Sequence, residues 1–545
     1  PLTEFIQRDS TLDRSNVPKN IIATSFVGSK SHLTPMLEIC KILMDRGYNV
    51  TLITQGNFTA QSALYRSIPQ VIINNDGMSY SFQELDKAVS GNDYFKVLSV
   101  LTSVASSYYV NYYNTYKKTA EEINVDLFIC DYFLNHACFD LAWKLGKPVV
   151  GISTSSGLVI TQPPYKSDPI FGCHVNMENE SFYNRFRCAI IEPLKFIWKI
   201  FRMSNPPINE LNIQRAKVGV EPYWDLKGRI SNILFLFDSF FGFEIASPMS
   251  PLHQEIGPIL PDTFPNLTPE LYSFLADHPR TIYFALGTFA CLPPQSYIIL
   301  LRSFIEMIDQ NIIDGVIWAT VRMNSSEFLS FMDDDFPISS ILNNEHPHIN
   351  LIKFAPQFAI LSHENTKVFL SHGGAASSHE SIYTATPMLV LPITGDQPGN
   401  AEKLEMASMA LRLSKHNLEL NDIISKIKRL LNEDKFKKNV ERLQFLAKVN
   451  SKRKYRGADL IEVLLNTINC KGVKDENGDV KINNDDFLKD WITPDIRMGF
   501  IRGMYLDVYG TALVILLLSI GGFIYVLWKI IRFFYSLKFL KLKRE

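Results

Sequence analysis

What most constrains the fold of this chain is an alternation, repeated along most of its length, of short apolar runs, glycine-containing turns and segments of helical period. Residues 20–26 (NIIATSF) read as a strand, and Gly28 lies in the turn that follows. Residues 34–46 carry apolar side chains at helical spacing, Gly47 breaks the pattern, and residues 49–54 form a second strand. A strand, a helix and a strand in that order cannot close as a hairpin, so the two strands must lie parallel. Strands are predicted again at 70–74, 126–130, 148–153 and 232–237, with helices between them. A second series begins at 281–286 and continues through 315–320, 349–354, 367–371 and 388–391. The expected fold class is α/β, with two doubly wound, mostly parallel sheets. The predicted divisions are an N-terminal extension (1–17), a first half (18–246), a proline-dense linker (247–262) and a second half (263–445). Helices and a juxtamembrane segment (446–507), an apolar helix (508–528) and a basic tail (529–545) complete the chain.

The densest chemistry lies in residues 354–400, FAPQFAILSHENTKVFLSHGGAASSHESIYTATPMLVLPITGDQPGN. Here a strand runs into a His-Gly-Gly turn and then a helix. A helix N-terminus presents unpaired N–H groups and a partial positive charge to an anion, so a phosphate fits there. Gly373 and Gly374 allow the backbone close to a ligand, while His372, Ser377 and Ser378 offer side-chain donors. Glu380, further along the helix, can accept from two neighbouring hydroxyls, as on a ribose. Asp396 and Gln397 follow the next strand, at the end of an open α/β sheet where ligands bind. Phosphate donors, a ribose acceptor and polar groups suited to a sugar together describe a nucleotide-sugar pocket.

This segment resembles the C-terminal motif of the UDP-glycosyltransferases, a family that includes animal glucuronosyltransferases, plant glucosyltransferases and fungal lipid glycosyltransferases. The resemblance extends over about residues 18–528 and implies the GT-B architecture, two Rossmann-like domains facing a cleft. It implies that Phe354 stacks on uracil, Gln357 contacts the nucleoside, His372, Gly374 and Ser377 hold the diphosphate, and Glu380 holds the ribose. Asp396 and Gln397 would bind the sugar hydroxyls, and Thr288, in the ALGT sequence ending another strand, would donate to the β-phosphate. Two positions depart from the family pattern: Phe354 stands where Trp is usual, and Ala376 where the plant enzymes often carry Asn.

In the first half, Gly28-Ser-Lys-Ser-His-Leu-Thr-Pro35 follows the first strand and puts His32 at the start of the first helix. This resembles the family's Gly-x-x-His-x-x-Pro pattern, whose histidine is the catalytic base. An acceptor hydroxyl has a pKa far above neutral, and an imidazole titrating near about 6.5 can take its proton as attack begins. Asp131, at the end of the strand DLFIC, matches the family's second catalytic residue. It would bond the other imidazole nitrogen, fixing the tautomer and stabilising the imidazolium, with the nucleophile supplied by the substrate. The expected reaction is a single displacement at the anomeric carbon that inverts α to β, with UDP leaving. No metal and no cofactor are expected, UDP-sugar being a co-substrate, because the helix terminus and His372 can stabilise the diphosphate. The acidic triplet Asp333–Asp335 reads as a solvated turn. Residues 475–486 (DENGDVKINNDD) lack the glycine and closing glutamate of a calcium loop and read as polar linker.

A formal net charge of −1 gives no indication of nucleic-acid binding. Seven cysteines without paired short spacings are expected to be buried small hydrophobes rather than a disulfide or zinc framework. Residues 508–528 (VYGTALVILLLSIGGFIYVLW) carry no charge and are long enough to cross a bilayer. Lys529, Arg532, Lys538, Lys541, Lys543 and Arg544 follow, so the positive-inside rule places the tail in the cytosol and the large domains on the luminal side. Lys541 and Lys543 resemble a lysine-based endoplasmic reticulum retrieval signal. That topology calls for a signal peptide, and the sequence starts PLTEFIQRDS, so an N-terminal piece is expected to have been processed or omitted. Sequons at Asn57, Asn179, Asn266 and Asn324 fit luminal exposure.

The acceptor side is less specified. Residues 188–202 (CAIIEPLKFIWKIFR) fit either an interfacial helix admitting lipophilic acceptors or an amphipathic core helix, the latter favoured by base rates. By resemblance, the end of the charged helical region 420–465 returns to pack on the first half. The leading expectation is transfer of glucose or glucuronic acid to a lipophilic hydroxyl compound by a membrane-anchored enzyme, for which a homo-oligomer remains open. The alternatives are a sterol or ceramide glucosyltransferase and a non-catalytic membrane-bound scaffold. Keeping His32, Asp131, Glu380 and Asp396 together argues against the scaffold.

Overall fold

The structure, a computed structural model, describes residues 8–12, 14–15, 17–74, 94–155, 162–167, 169, 172–202, 206–288, 292–321, 338–467, 473–474, 480–481 and 491–542. The acidic triplet Asp333–Asp335, the sequon at Asn324, and Lys543 and Arg544 lie outside them.

Seven strands form the first sheet: β1 (Asn20–Thr24), β2 (Asn49–Gln55), β3 (Gln70–Ile73), β4 (Leu127–Asp131), β5 (Val149–Ser153), β6 (Leu234–Phe237) and β7 (His253–Glu255). Their order is β3-β2-β1-β4-β5-β6-β7, and every pair is parallel. The second sheet holds β8 (Thr281–Ala285), β9 (Gly315–Ala319), β10 (Ile349–Ile352), β11 (Thr366–Ser371), β12 (Met388–Val390) and β13 (Ala410–Arg412). It repeats the plan in the order β10-β9-β8-β11-β12-β13, again all parallel. Helices cover both faces of a parallel sheet, so its strands read as unbroken apolar runs rather than as alternations. Thus β4, β6 and β8 are buried at every residue. Each sheet reverses its winding between two central strands, β1 and β4 in the first and β8 and β11 in the second. Ligands bind at such a reversal, beyond the carboxyl ends of the strands.

Two expectations need correction. The proline-dense stretch 247–262 is not simply a linker: its middle forms β7, which pairs Phe235 with His253 through Phe237 with Glu255. A three-residue edge strand is too short to give an apolar run, and the prolines around it masked the signal. The cysteines do form disulfides, Cys130 with Cys138 and Cys173 with Cys188, while Cys40 is free and buried. Cys130 ends a strand and Cys138 lies in the helix His136–Lys144 that follows. The turn between them brings their Cα atoms to 5.9 Å, a proximity that spacing alone does not convey.

The return of the C-terminal helices to the first half is as expected. Helix Lys454–Thr467 packs on the first helix, Lys30–Asp45, and two charge clusters centred on its buried Lys454 and Glu462 tie it to the first half. Lys454 Nζ donates to Glu38 Oε2 at 2.9 Å and to Asp262 Oδ1 at 2.7 Å. Glu462 accepts from Arg14, Arg46 and the Tyr48 hydroxyl.

Residues 1–484 and 485–545 form separate compact units. The second contains the helix Leu506–Leu542, longer at both ends than the apolar run itself. Its stretch Leu506–Tyr535, 30 residues with none of it buried, is long and apolar enough to cross a membrane. Within the segment 475–486, Val480 and Lys481 pair antiparallel with Val473 and Lys474, and the rest lies outside the described residues.

Candidate active site

The β1–β4 reversal brings together two residues 99 positions apart. His32 stands in the first turn of Lys30–Asp45, and Asp131 is the last residue of β4. The imidazole Nδ1 lies 3.1 Å from Asp131 Oδ1. Ser25, in the turn after β1, donates its hydroxyl to the other carboxylate oxygen at 2.8 Å. Asp131 is 2% exposed, and the Phe133 ring stacks on His32 with centroids 5.2 Å apart. Burial disfavours the imidazolium, yet the charge and hydrogen bond of Asp131, helped by the charge of Asp396, outweigh it and raise the His32 pKa above its ordinary value. Nδ1 is thus held by a carboxylate, which leaves Nε2 to take a proton. Gly28 shapes the approach: its φ is +65°, and a Cβ there would come within 2.7 Å of the Gln55 carbonyl oxygen.

The β8–β11 reversal gathers the second set. After β11, Gly373 at φ +80° turns the chain, and Gly374 caps the helix Ala375–Thr384 in an extended conformation. No acidic side chain occupies that helix's first turn, which suits its N-terminal N–H groups to an anion. His372 packs edge-on against Gly287, where a Cβ would lie 2.7 Å from Cε1, and against Gly374, where it would lie 2.5 Å from Nε2. Burial pushes the His372 pKa down to about 4, so it is a neutral donor near neutral pH in the absence of a bound anion. Thr288, next to Gly287, is exposed at the same rim.

The residues expected at the nucleoside are linked to one another. Gln357 Nε2 donates to Glu380 Oε2 at 3.0 Å and to Ser377 Oγ at 3.3 Å, while the Tyr283 hydroxyl approaches Gln357 Oε1 at 3.4 Å. Burial raises the Glu380 pKa, opposed by Lys30 from the other half and by Gln357. Phe354 lies beyond the end of β10, 67% exposed, and offers an open ring face. Asp396 stands at the N-cap of helix Gln397–Met406. Gln397 is buried, and its carbonyl oxygen accepts from the Ile393 and Thr394 N–H groups at 2.9 and 3.1 Å, so its amide nitrogen is the end left for a ligand.

Several contributors escaped the sequence reading. Asn400 Nδ2 donates to both Asp396 Oδ2 (2.8 Å) and the Gly373 carbonyl (3.1 Å), tying the start of helix Gln397–Met406 to the glycine turn after β11. Its position four residues after Asp396 on a helix was the available signal. Ser25 and Gly287 gave none, because their partners are distant in sequence. Nor did the grip of the first half on helix Gln397–Met406. There Glu402 accepts from the Val175 N–H at 3.2 Å and pairs with His174, and the neighbouring Lys403 pairs with Glu244 at 2.6 Å.

The chain is similar to known proteins over most of its length. Residues 222–452 match the family described as "UDP-glucoronosyl and UDP-glucosyl transferase". A "UDP-glycosyltransferase" of Talaromyces amestolkiae is 27% identical over 92% of this chain and 96% of its own length. "UDP-glucuronosyltransferase 3A2" of Homo sapiens is 24% identical over 76% of this chain and 78% of its own. Among solved structures, a UDP-glucosyltransferase from Polygonum tinctorium superposes with a TM-score of 0.57 at 17% identity, covering 83% of this chain and all of that one. The glycotransferase of kitacinnamycin gives the same TM-score at 18% identity, over 82% of this chain and 99% of that one. These likenesses carry the GT-B fold, and the two sheets with their matched reversals are its two Rossmann-like halves. On fold, motif order and relatives together, the chain is similar to the UDP-glycosyltransferases over most of its length.

Proposed function

We propose that this enzyme transfers a hexose, glucose or glucuronic acid, from a UDP-sugar to the hydroxyl of a lipophilic acceptor with inversion at the anomeric carbon. The observation that carries the reading is the 3.1 Å contact at one sheet reversal between the half-buried His32 and the buried Asp131. In this scheme His32 Nε2 takes the acceptor proton as the oxygen bonds to C1. The C1–O bond to UDP breaks, and its electron pair passes to the β-phosphate oxygen. Asp131 holds the imidazolium that forms. The helix N-terminus after Gly374, with His372, Ser377 and Thr288, receives the diphosphate. Phe354 and Gln357 take the nucleoside, Glu380 the ribose, and Asp396 with Gln397 the sugar. This neutral and dipolar donor set would supply the leaving-group stabilisation without a metal ion.

The reading extends to location: Leu506–Tyr535 anchors the enzyme in a membrane, with the tail cytosolic and the catalytic halves in the lumen of the endoplasmic reticulum. Two disulfides favour an oxidising compartment. The sequon residues Asn57, Asn179 and Asn266 are all exposed, as luminal glycosylation requires.

The test is to incubate the full-length protein in detergent–lipid micelles with UDP-glucose or UDP-glucuronate and a panel of lipophilic alcohols and membrane lipids, following product and UDP together. Product anomeric configuration reports inversion. His32→Ala is expected to abolish transfer while donor affinity persists. Wild-type protein that releases no more UDP than this variant, for every donor and acceptor, would remove the reading.

A further inference from the structure

The turn that leads from β4 into the helix His136–Lys144 supplies two contacts that fix the His32 ring. Asp131 holds its edge at Nδ1, and Phe133 lies against its face, with centroids 5.2 Å apart and planes 27° from parallel. A hydrogen bond alone leaves an imidazole free to rock about the line from Nδ1 to the oxygen, and a stacked ring restrains that motion. The turn carrying Phe133 is not one that a chain adopts readily. Leu134 sits at φ +59°, a left-handed conformation that a leucine keeps only where its surroundings impose it. Asn135, at the helix N-cap, makes no capping bond with its side chain. Its amide instead donates to Thr24 Oγ1 at 2.8 Å and accepts from the Tyr116 hydroxyl at 3.0 Å. A second fastening is covalent. Cys130, seated in the sheet between Thr24 of β1 and Gly151 of β5, is disulfide-bonded to Cys138 in the first turn of the helix.

We propose that the Cys130–Cys138 bridge is a positioning element for the base: it closes the turn 131–137 from both ends and so keeps Asp131 and Phe133 seated on His32. This role rests on the reading of His32 as the base. Three observations support it. First, the bridge joins the residue immediately before Asp131 to the helix immediately after the turn, so the segment it encloses is the one that touches the imidazole. Second, the unfavourable conformation at Leu134 lies next to Phe133, so a turn whose ends could part would relax at the position that carries the stacked ring. Third, both cysteines are 0% exposed, out of reach of thiols in solution, which makes the bridge a permanent brace and not a redox switch. The chemistry is sensitive to such a brace. Proton transfer needs the acceptor oxygen within about 2.6–3.2 Å of Nε2, and a misplacement of about 1 Å can cost about 100-fold.

The test compares the full-length protein in detergent–lipid micelles with the double variant Cys130→Ala, Cys138→Ala and with a control that lacks the other bridge, Cys173→Ala, Cys188→Ala. Diethylpyrocarbonate acylates the neutral imidazole, so mass spectrometry of the His32 peptide over a pH series follows that residue's titration without requiring turnover. In the wild-type protein Asp131 favours the protonated ring. Loss of the brace is expected to move the His32 acylation profile to lower pH, and the control is expected to leave it in place. In transfer assays kcat of the double variant is expected to fall roughly 10- to 100-fold, with the donor KM within about threefold of wild type. An unmoved profile, a profile that the control moves equally, or a kcat within about threefold of wild type would overturn the proposal. Phe133→Leu keeps the bridge and removes the stacked ring, and it carries the test if the double variant does not fold. Its kcat is expected to fall roughly tenfold, and an unchanged kcat would overturn the proposal. Wild-type transfer no faster than that of His32→Ala would remove the base reading instead, while the acylation profile still reports whether the bridge seats the ring.

Discussion

Replacing Asp131 by Asn keeps the size of the side chain and removes its charge, isolating what the carboxylate does for His32. In the wild-type protein Asp131 Oδ1 sits 3.1 Å from Nδ1 in a nearly water-free position, with Ser25 holding the other oxygen. A charge-assisted hydrogen bond of this kind is worth about 1.5–3 kcal/mol, which at about 1.36 kcal/mol per tenfold corresponds to a loss of about 10- to 150-fold in kcat/KM. Loss of tautomer control adds to this, up to the range of about 10²–10⁴ typical of general-base catalysis. The pH profile is the sharper measure. A base must be neutral to act, so the acidic limb of kcat/KM reports the His32 pKa. That pKa is raised because Asp131 and Asp396 outweigh burial. In the Asp131→Asn variant the burial penalty dominates, so the limb should move to lower pH while the plateau falls. Steady-state kinetics over a pH series, with donor affinity checked by calorimetry, decide the matter. A plateau within about threefold of wild type, or a limb that moves upward, would refute the pairing as the source of basicity.

Gly287→Ala should damage donor binding and stability together, because its Cβ would meet His372 at 2.7 Å and its φ is +71°. A loss of about 1–3 kcal/mol in thermal unfolding, with weaker UDP binding, is expected. Phe354→Trp should tighten UDP binding if this exposed ring stacks on the base, and calorimetry showing no gain would count against that placement. Glu402→Ala should raise the donor KM by about 10- to 100-fold at most with a smaller effect on kcat, since it frees the helix carrying Asp396 and Gln397 from the Val175 N–H and His174. Because the folded His32 pKa is raised, the pair's contribution to stability is full below about pH 6.5 and is lost as pH rises through the higher folded value. Thermal scans of wild type and Asp131→Asn should therefore differ most on the acidic side.

The local architecture was legible because it is written in local patterns. Apolar runs, helical spacing and glycine turns are short-range properties, and they located the strands of both sheets apart from β7 and the weakly marked β13. The His-Gly-Gly turn ahead of a helix was legible for the same reason: its geometry belongs to consecutive backbone groups. The site's long-range partners were another matter. His32 and Asp131 could be named from motifs, but only the β1–β4 reversal sets their 3.1 Å contact. Ser25 and Gly287 became visible only with their partners in place.

By itself the sequence determined that the chain folds as two parallel α/β halves, where glycine turns lead from strand into helix, and that one C-terminal helix is apolar enough to span a membrane. Tertiary structure alone decided which cysteines meet, that a proline-rich stretch supplies an edge strand, that the first half grips the donor helix through Glu402 and Lys403, and that the amphipathic segment 182–202 turns outward. The reason is physical. Periodicity fixes which side of an element is apolar, but the neighbour or solvent that side meets depends on how distant segments pack.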